Sequence, residues 1–173
     1  MRFDTKIAIA VRDDLPQWQK LNVTAFLASG IASAADGLLG KPYEDADGNE
    51  YLALFRQPVV VYAADAEALL AALGRARDRG LAAAVYTEEM FATGNDEDNR
   101  AVVRVVAADD LRLAGLAVYG PRNPVDKVFK GARLHPLPVQ FVLAHSLRQA
   151  RTAVRPASNA AASTRPSLAR RLT

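Results

Sequence analysis

Short apolar runs bounded by polar residues divide most of the chain into alternating strand and helix patterns. Four runs rich in alanine, valine and leucine are typical of strands buried on both faces. The predicted strands are residues 6–12, 58–65, 81–88 and 111–120. The segments with helical spacing are residues 18–35, 65–79, 95–106 and 123–131. Strands that alternate with helices predict a three-layer α/β domain with a mostly parallel sheet.

Local signals indicate where several of these elements begin or turn. Asp14, Asp65 and Asn95 each precede a helical segment and are candidate N-caps. Asp47-Gly48, between two tyrosines, predicts a small hairpin. The apolar positions with helical spacing in the first helix are Leu21, Ala25, Ala28 and Ala32, with Leu27 and Ile31 beside them. We expect this stripe to face the core.

The positive charge of the chain is concentrated at its C-terminal end. Residues 1–133 contain sixteen basic and nineteen acidic residues, whereas residues 134–173 contain six arginines and no acidic residue. The composition there shifts to alanine, serine, threonine and proline, which is typical of disordered segments. We therefore expect one α/β domain at residues 1–136 and a basic, low-complexity, largely disordered tail at residues 137–173. The acidic balance of the domain argues against a specific nucleic-acid partner.

Several kinds of site are disfavoured by residue types that the chain lacks. It contains no cysteine and only two histidines, His135 and His145, so we expect neither disulfides nor a metal site. The glycine-rich motifs of nucleotide sites are missing, and we expect no cofactor. The apolar runs are too short to span a bilayer, and the N-terminus lacks a signal-peptide pattern. The sequence therefore predicts a cytoplasmic protein without membrane contact.

Five blocks of the sequence resemble one known family. The blocks are KIAIAVRDDLPQWQKLNVTAFLASGIA, PYEDADGNEY, FRQPV, VYTEEMFATGNDEDNR and GLAVYGPRNPVDKVFKG, which together cover most of residues 4–136. They resemble the family named domain of unknown function 2000. That family is similar in fold to peptidyl-tRNA hydrolase type II. The resemblance implies a mixed four-stranded sheet, mostly parallel, between helical layers.

The residues that carry the hydrolase activity are mostly replaced in this chain. The resemblance retains one lysine near the start of the first helix, Lys20. Where the hydrolases have a glutamine and a histidine, this chain has Thr24 and Leu27, and residues 87–89 replace an Asp-Ala-Gly. The resemblance therefore supports the fold more directly than the reaction.

The candidate site lies where the first and third strands end, because ligands in open α/β sheets bind at the carboxyl ends of parallel strands. The resemblance implies that these two strands are parallel neighbours. The candidate ligand-binding residues are Arg12, Asp13, Thr87 and Glu89. The candidate catalytic residues are Lys20 and Thr24, which would stabilise negative charge, and Glu88, which would transfer protons. Each also has a structural explanation, as a solvated lysine, a turn cap or a surface ion pair. Trp18 is either an aromatic lid or a hydrophobic staple.

Three hypotheses about function follow from these residues. The first is a binding or regulatory module for a small anionic ligand or a protein partner at this edge. The second is an ester or amide hydrolase distantly related to the peptidyl-tRNA enzymes. The third is a structural homo-oligomer without a ligand, which apolar residues exposed on the first helix or around Phe55 would favour.

Overall fold

A computed structural model describes residues 3–135, and the predicted tail lies outside the described residues. The strands are β1 (Thr5–Arg12), β2 (Tyr43–Glu44), β3 (Glu50–Tyr51), β4 (Val59–Ala64), β5 (Ala82–Thr87), β6 (Leu113–Pro121) and β7 (Arg133–Leu134). The helices are α1 (Gln17–Ala32), α2 (Ala66–Arg77), α3 (Asp96–Arg104) and α4 (Arg122–Val128), with 3₁₀ segments at Glu88–Ala92 and Ala108–Asp110. Within residues 3–135, no helix combines the length and the apolar character needed to cross a membrane.

Five strands form one mixed sheet in the order β5-β6-β1-β4-β7, and β2 pairs with β3 in a separate hairpin. Within residues 3–135, only β1 and β4 pair in parallel, because β6 is antiparallel to β1 and to β5, and β7 is antiparallel to β4. The mixed α/β class is therefore confirmed. The expected four-stranded, mostly parallel sheet is wrong in strand count and in pairing. β1 and β5 run in the same direction, but β6 lies between them, so the first and third predicted strands are not neighbours.

The core lies on both faces of the sheet, and β1 contributes to both. Its larger side chains, Ile7, Ile9 and Val11, pack on the face covered by α1. Ala8 and Ala10 point to the other face, which α2 and α4 cover. All five residues are at most 1% exposed. The alternation of large and small side chains explains why a run without polar residues forms the central strand of a three-layer domain.

The first helix departs from the sequence prediction in its start and in its buried face. It begins at Gln17 after Pro16, without a side-chain cap, so the assignment of Asp14 as its N-cap is wrong. Its buried residues are Val23, Leu27 and Ile31. Leu21, which we expected in the core, is 64% exposed. The helix therefore packs with its stripe rotated relative to the predicted one.

Other local predictions are confirmed. Asp65 accepts a hydrogen bond from the backbone N–H of Ala68 at 2.8 Å and caps α2. Asn95 accepts one from the N–H of Asp98 at 2.9 Å and caps α3. Gly48 has a φ of 84° in the turn between β2 and β3, a conformation that glycine adopts without strain. These signals depend only on residues a few positions apart, which explains why the sequence revealed them.

Candidate functional site

Charged residues at the ends of β1 and β5 meet at one edge of the sheet. The Arg12 Nε lies 2.6 Å from Asp14 Oδ1, and the Arg12 Nη1 binds the Oε1 of Glu88. The side chains of Arg12 and Glu88 are 13% and 30% exposed and that of Asp14 is 66% exposed, so the ion pair with Glu88 is the better shielded from water. Burial by itself lowers the pKa of Arg12, but its hydrogen bonds to Glu88 and Asp14 outweigh burial and raise it. The predicted ends of β1 and β5 therefore do lie together, joined by an ion pair.

Arg112, which the sequence analysis did not select, completes this group. It stands directly before β6, the strand between β1 and β5. Its Nη1 lies 3.3 Å from Glu88 Oε2, and its Nη2 lies 2.8 Å from Glu89 Oε1. Burial tends to raise the pKa of Glu89, but hydrogen bonds from its own backbone N–H and from Arg112 lower it overall. Only the strand order brings Arg112 here, so no local sequence signal could have identified it.

The other predicted site residues lie near this edge with most of their polar groups already paired. Lys20 Nζ donates to the backbone carbonyl of Asp13 at 2.7 Å. Thr24 Oγ1 donates to the carbonyl of Lys20 at 2.7 Å, and the Asp13 carboxylate lies 3.4 Å from Arg133 Nη2. Thr87 is 1% exposed. The arrangement brings the predicted residues to one region but leaves few of their groups available to a ligand.

An open cleft of about 770 Å³ lies beside this charged group. Its walls come from α1, the end of β5, the 3₁₀ segment Glu88–Ala92 and α3. Four aromatic side chains follow one another along it. Trp18 and Phe91 have ring centroids 6.1 Å apart, Phe91 and Tyr86 5.0 Å, and Tyr86 and Phe26 5.5 Å. We call Trp18, Phe26, Tyr86 and Phe91 the aromatic wall.

The polar groups of the cleft lie around the aromatic wall. The Tyr86 hydroxyl donates to Asn22 Oδ1 at 3.4 Å, and burial raises the pKa of Tyr86. On the opposite side, α3 contributes Asp96, Arg100 and Arg104. Among residues 3–135 no cluster of carboxylates and histidines is suited to hold a metal ion.

The charged group and the cleft share the 3₁₀ segment. Its first turn carries Glu88 and Glu89, which the two arginines bind, and the same segment carries Phe91 of the aromatic wall. The ion pairs therefore hold in place a segment that shapes the cleft. The residues predicted from the sequence include the anchoring carboxylates but not Phe26 or Tyr86. One available signal was the i, i+4, i+8 spacing of Trp18, Asn22 and Phe26, which puts all three on one helix face.

Comparisons with known proteins agree with the resemblance inferred from the sequence. A family model described as "Protein of unknown function (DUF2000)" matches residues 5–136. A solved structure of a protein of unknown function from Agrobacterium tumefaciens strain C58 is 49% identical, with a TM-score of 0.76. That match covers 78% of this chain and 100% of the other. The search of curated proteins gives no match.

Proposed function

Because the chain belongs to the DUF2000 family of proteins of unknown function, we propose its function from the geometry of the cleft. It is a binding domain for a small organic molecule with a planar apolar part. The ligand occupies the cleft between α1 and α3 rather than the charged group at the strand ends. This proposal keeps the first hypothesis from the sequence but moves its location. The residues predicted there, Arg12, Glu88 and Glu89, act by positioning the cleft wall.

The aromatic wall carries this proposal. Trp18 is 63% exposed and Phe26 is 49% exposed, although both contact other aromatic rings of the wall. Large apolar surface left open to water in a concave site is typical of ligand clefts, which span about 300–1,000 Å³. A planar ligand placed against these rings removes that surface from water and adds edge or stacking contacts of about 0.5–1.5 kcal/mol for each ring pair.

Trp18 allows a site-specific test, because it is the only tryptophan in the chain. We expect the indole N–H resonance of the full chain to shift in a saturable manner during titration with 2-naphthamide and related planar compounds. Phe26→Ala should weaken binding about threefold to tenfold, the equivalent of one lost ring contact. Leu52→Ala is the matched control, since Leu52 is 89% exposed and does not line the cleft. The proposal would be refuted if the Trp18 resonance shows no saturable shift at ligand concentrations up to about 1 mM, a concentration at which even weak binding is detected.

The hydrolase hypothesis has less geometric support. Glu88 is bound by two guanidinium groups, the Lys20 ammonium by a backbone carbonyl, and the Thr24 hydroxyl by the Lys20 carbonyl. A catalytic role would require these groups to exchange their partners for a substrate. Turnover of peptidyl-tRNA or aminoacyl esters that disappears in Lys20→Ala would favour it over the binding function.

We also propose the finer fold that the resemblance implies and the cytoplasmic location that the sequence predicts. A mixed sheet with helices on both faces is compatible with a peptidyl-tRNA hydrolase type II-like fold, and superposition of an experimental structure on such an enzyme is the test. The lack of cysteine fits the reducing cytoplasm, and the acidic balance of residues 1–133 argues against specific nucleic-acid binding.

A homo-oligomer is the second candidate, favoured by a different surface. Exposed apolar residues surround the β2–β3 hairpin, and they are Leu39, Tyr43, Tyr51, Leu52 and Leu54. Leu39 also bridges to Phe55, the region that the sequence analysis named. A second copy that covers this surface would remove it from water. Sedimentation should then show an assembly that Leu52→Asp dissociates, whereas a monomer at all concentrations would contradict it.

A further inference from the structure

The charges that line the cleft point to the class of ligand, an inference that rests on the proposed function. α3 contributes three charged residues to the lining. Asp96 and Arg100 are four residues apart and form an ion pair at 2.6 Å. Within residues 3–135, Asp96 is the acidic residue of this lining, and its charge is matched by Arg100. The third residue, Arg104, therefore gives the charged lining from α3 a net positive charge.

Arg104 has no ion-pair partner among the residues that the structure describes. It lies four residues after Arg100, so both side chains share one face of α3. An exposed guanidinium at the cleft has no ion pair to break before it binds an anion, and its planar donors match carboxylate or phosphate oxygens. This positive site occurs in a domain where acidic residues outnumber basic ones.

The side-chain amide of Asn22 on the α1 side adds further donors. The Tyr86 hydroxyl donates to Asn22 Oδ1 at 3.4 Å, a long hydrogen bond that uses one of the two lone pairs of the amide oxygen. The Asn22 Nδ2 makes no hydrogen bond within residues 3–135, and Asn22 lines the cleft, so its two N–H groups are available to a ligand. The cleft thus offers unused donors beside apolar rings. A ligand that complements it supplies acceptor oxygens attached to a planar body.

We infer that the ligand is an aromatic oxyanion, with its ring system against the aromatic wall and its carboxylate or phosphate group directed to Arg104. Carboxylate and phosphate share the chemistry that Arg104 recognises, namely negatively charged oxygens that accept two parallel N–H bonds. Because Arg104 is exposed, salt should screen the attraction while leaving the apolar contacts in place. The preference for an anion over a neutral compound of the same shape should therefore shrink at high ionic strength.

The test compares three probes with one ring system on the full chain: 2-naphthoate, 2-naphthyl phosphate and neutral 2-naphthamide. Calorimetry gives the affinities, and the Trp18 indole resonance reports the location. At low salt we expect at least one anion to bind about tenfold more tightly than the amide, and high salt to reduce the difference. Whichever of the two anions binds more tightly indicates whether the site prefers a carboxylate or a phosphate ester.

Arg104→Gln should remove the preference for the anion, and it should weaken 2-naphthamide much less than the anions, because the neutral amide loses no charge attraction. Arg77→Gln, on α2, is the matched control: it removes the same charge from an exposed arginine that does not line the cleft. Equal affinities for the anions and the amide, or an unchanged preference in Arg104→Gln, would overturn the oxyanion inference while the binding function stands. Absence of any Trp18 shift with all three probes would instead refute the proposed function.

Discussion

Gly115→Ala tests the packing that positions α1 over the sheet, and hence one wall of the cleft. Gly115 lies in β6 beneath α1. A Cβ atom at this position would lie 2.5 Å from Val23 Cγ1, 2.9 Å from Leu27 Cδ1 and 3.2 Å from the carbonyl oxygen of Ala10. Val23 and Leu27 are at most 1% exposed, so neither can move aside into solvent. The added Cβ atom therefore forces these side chains, or the helix that carries them, away from the sheet.

Overpacking of this kind costs about 1–3 kcal/mol in the free energy of unfolding. For a domain of this size, each kcal/mol lowers the melting temperature by roughly 3 °C, so the expected loss is about 3–10 °C. Urea denaturation and calorimetry measure both quantities. Because Trp18 and Phe26 move with the helix, the affinity for 2-naphthamide should fall as well.

Gly74→Ala is the matched control in α2. A Cβ atom there meets no heavy atom within 4 Å, so the substitution adds no clash. It should raise the free energy of unfolding by about 0.5–1 kcal/mol, because alanine loses less backbone entropy in a helix. Wild-type stability in Gly115→Ala would show that α1 does not press on β6 as described, and would refute the reasoning.

Two further predictions concern charged groups. Arg12→Gln should lower the free energy of unfolding by about 1–3 kcal/mol. Arg112→Gln should lower it by less, although both guanidiniums contact Glu88, because the Arg12 side chain is 13% exposed and that of Arg112 is 65% exposed. Equal losses in urea titrations would contradict this role of burial. Hydrogen bonds from the side chain and backbone of Asn49 lower the pKa of Asp45 from its usual 3.8 to about 2, so an NMR titration should find this carboxyl ionised well below pH 3.8. Because the pKa of Asp45 is lower in the folded state, any contribution of this carboxyl to stability is present above pH 3.8 and is lost as the pH falls toward 2. Asn49→Ala should return the pKa of Asp45 toward 3.8.

The sequence by itself determined the features that depend on near neighbours. The short apolar run Ile7–Val11, rich in β-branched residues, indicated a buried strand, because such a run is typical of a strand covered on both faces. Asp65 and Asn95 marked helix starts, because an N-cap bonds to an N–H three residues away. The family, too, was evident from blocks of consecutive residues. These properties need no knowledge of how the elements are arranged.

Only the tertiary structure decided which strands are neighbours and where the cleft lies. The sequence of a strand with both faces buried does not indicate which strands pair with it, so only the tertiary structure shows that β6 lies between β1 and β5. The contact between Phe26 and Tyr86 joins residues 60 positions apart, and the contact between Arg112 and Glu88 likewise depends on how the strands are arranged. The rotation of α1 that buries Val23 and exposes Leu21 depends on the space above Gly115. Side chains that meet across elements acquire their roles from packing, which a local pattern does not encode.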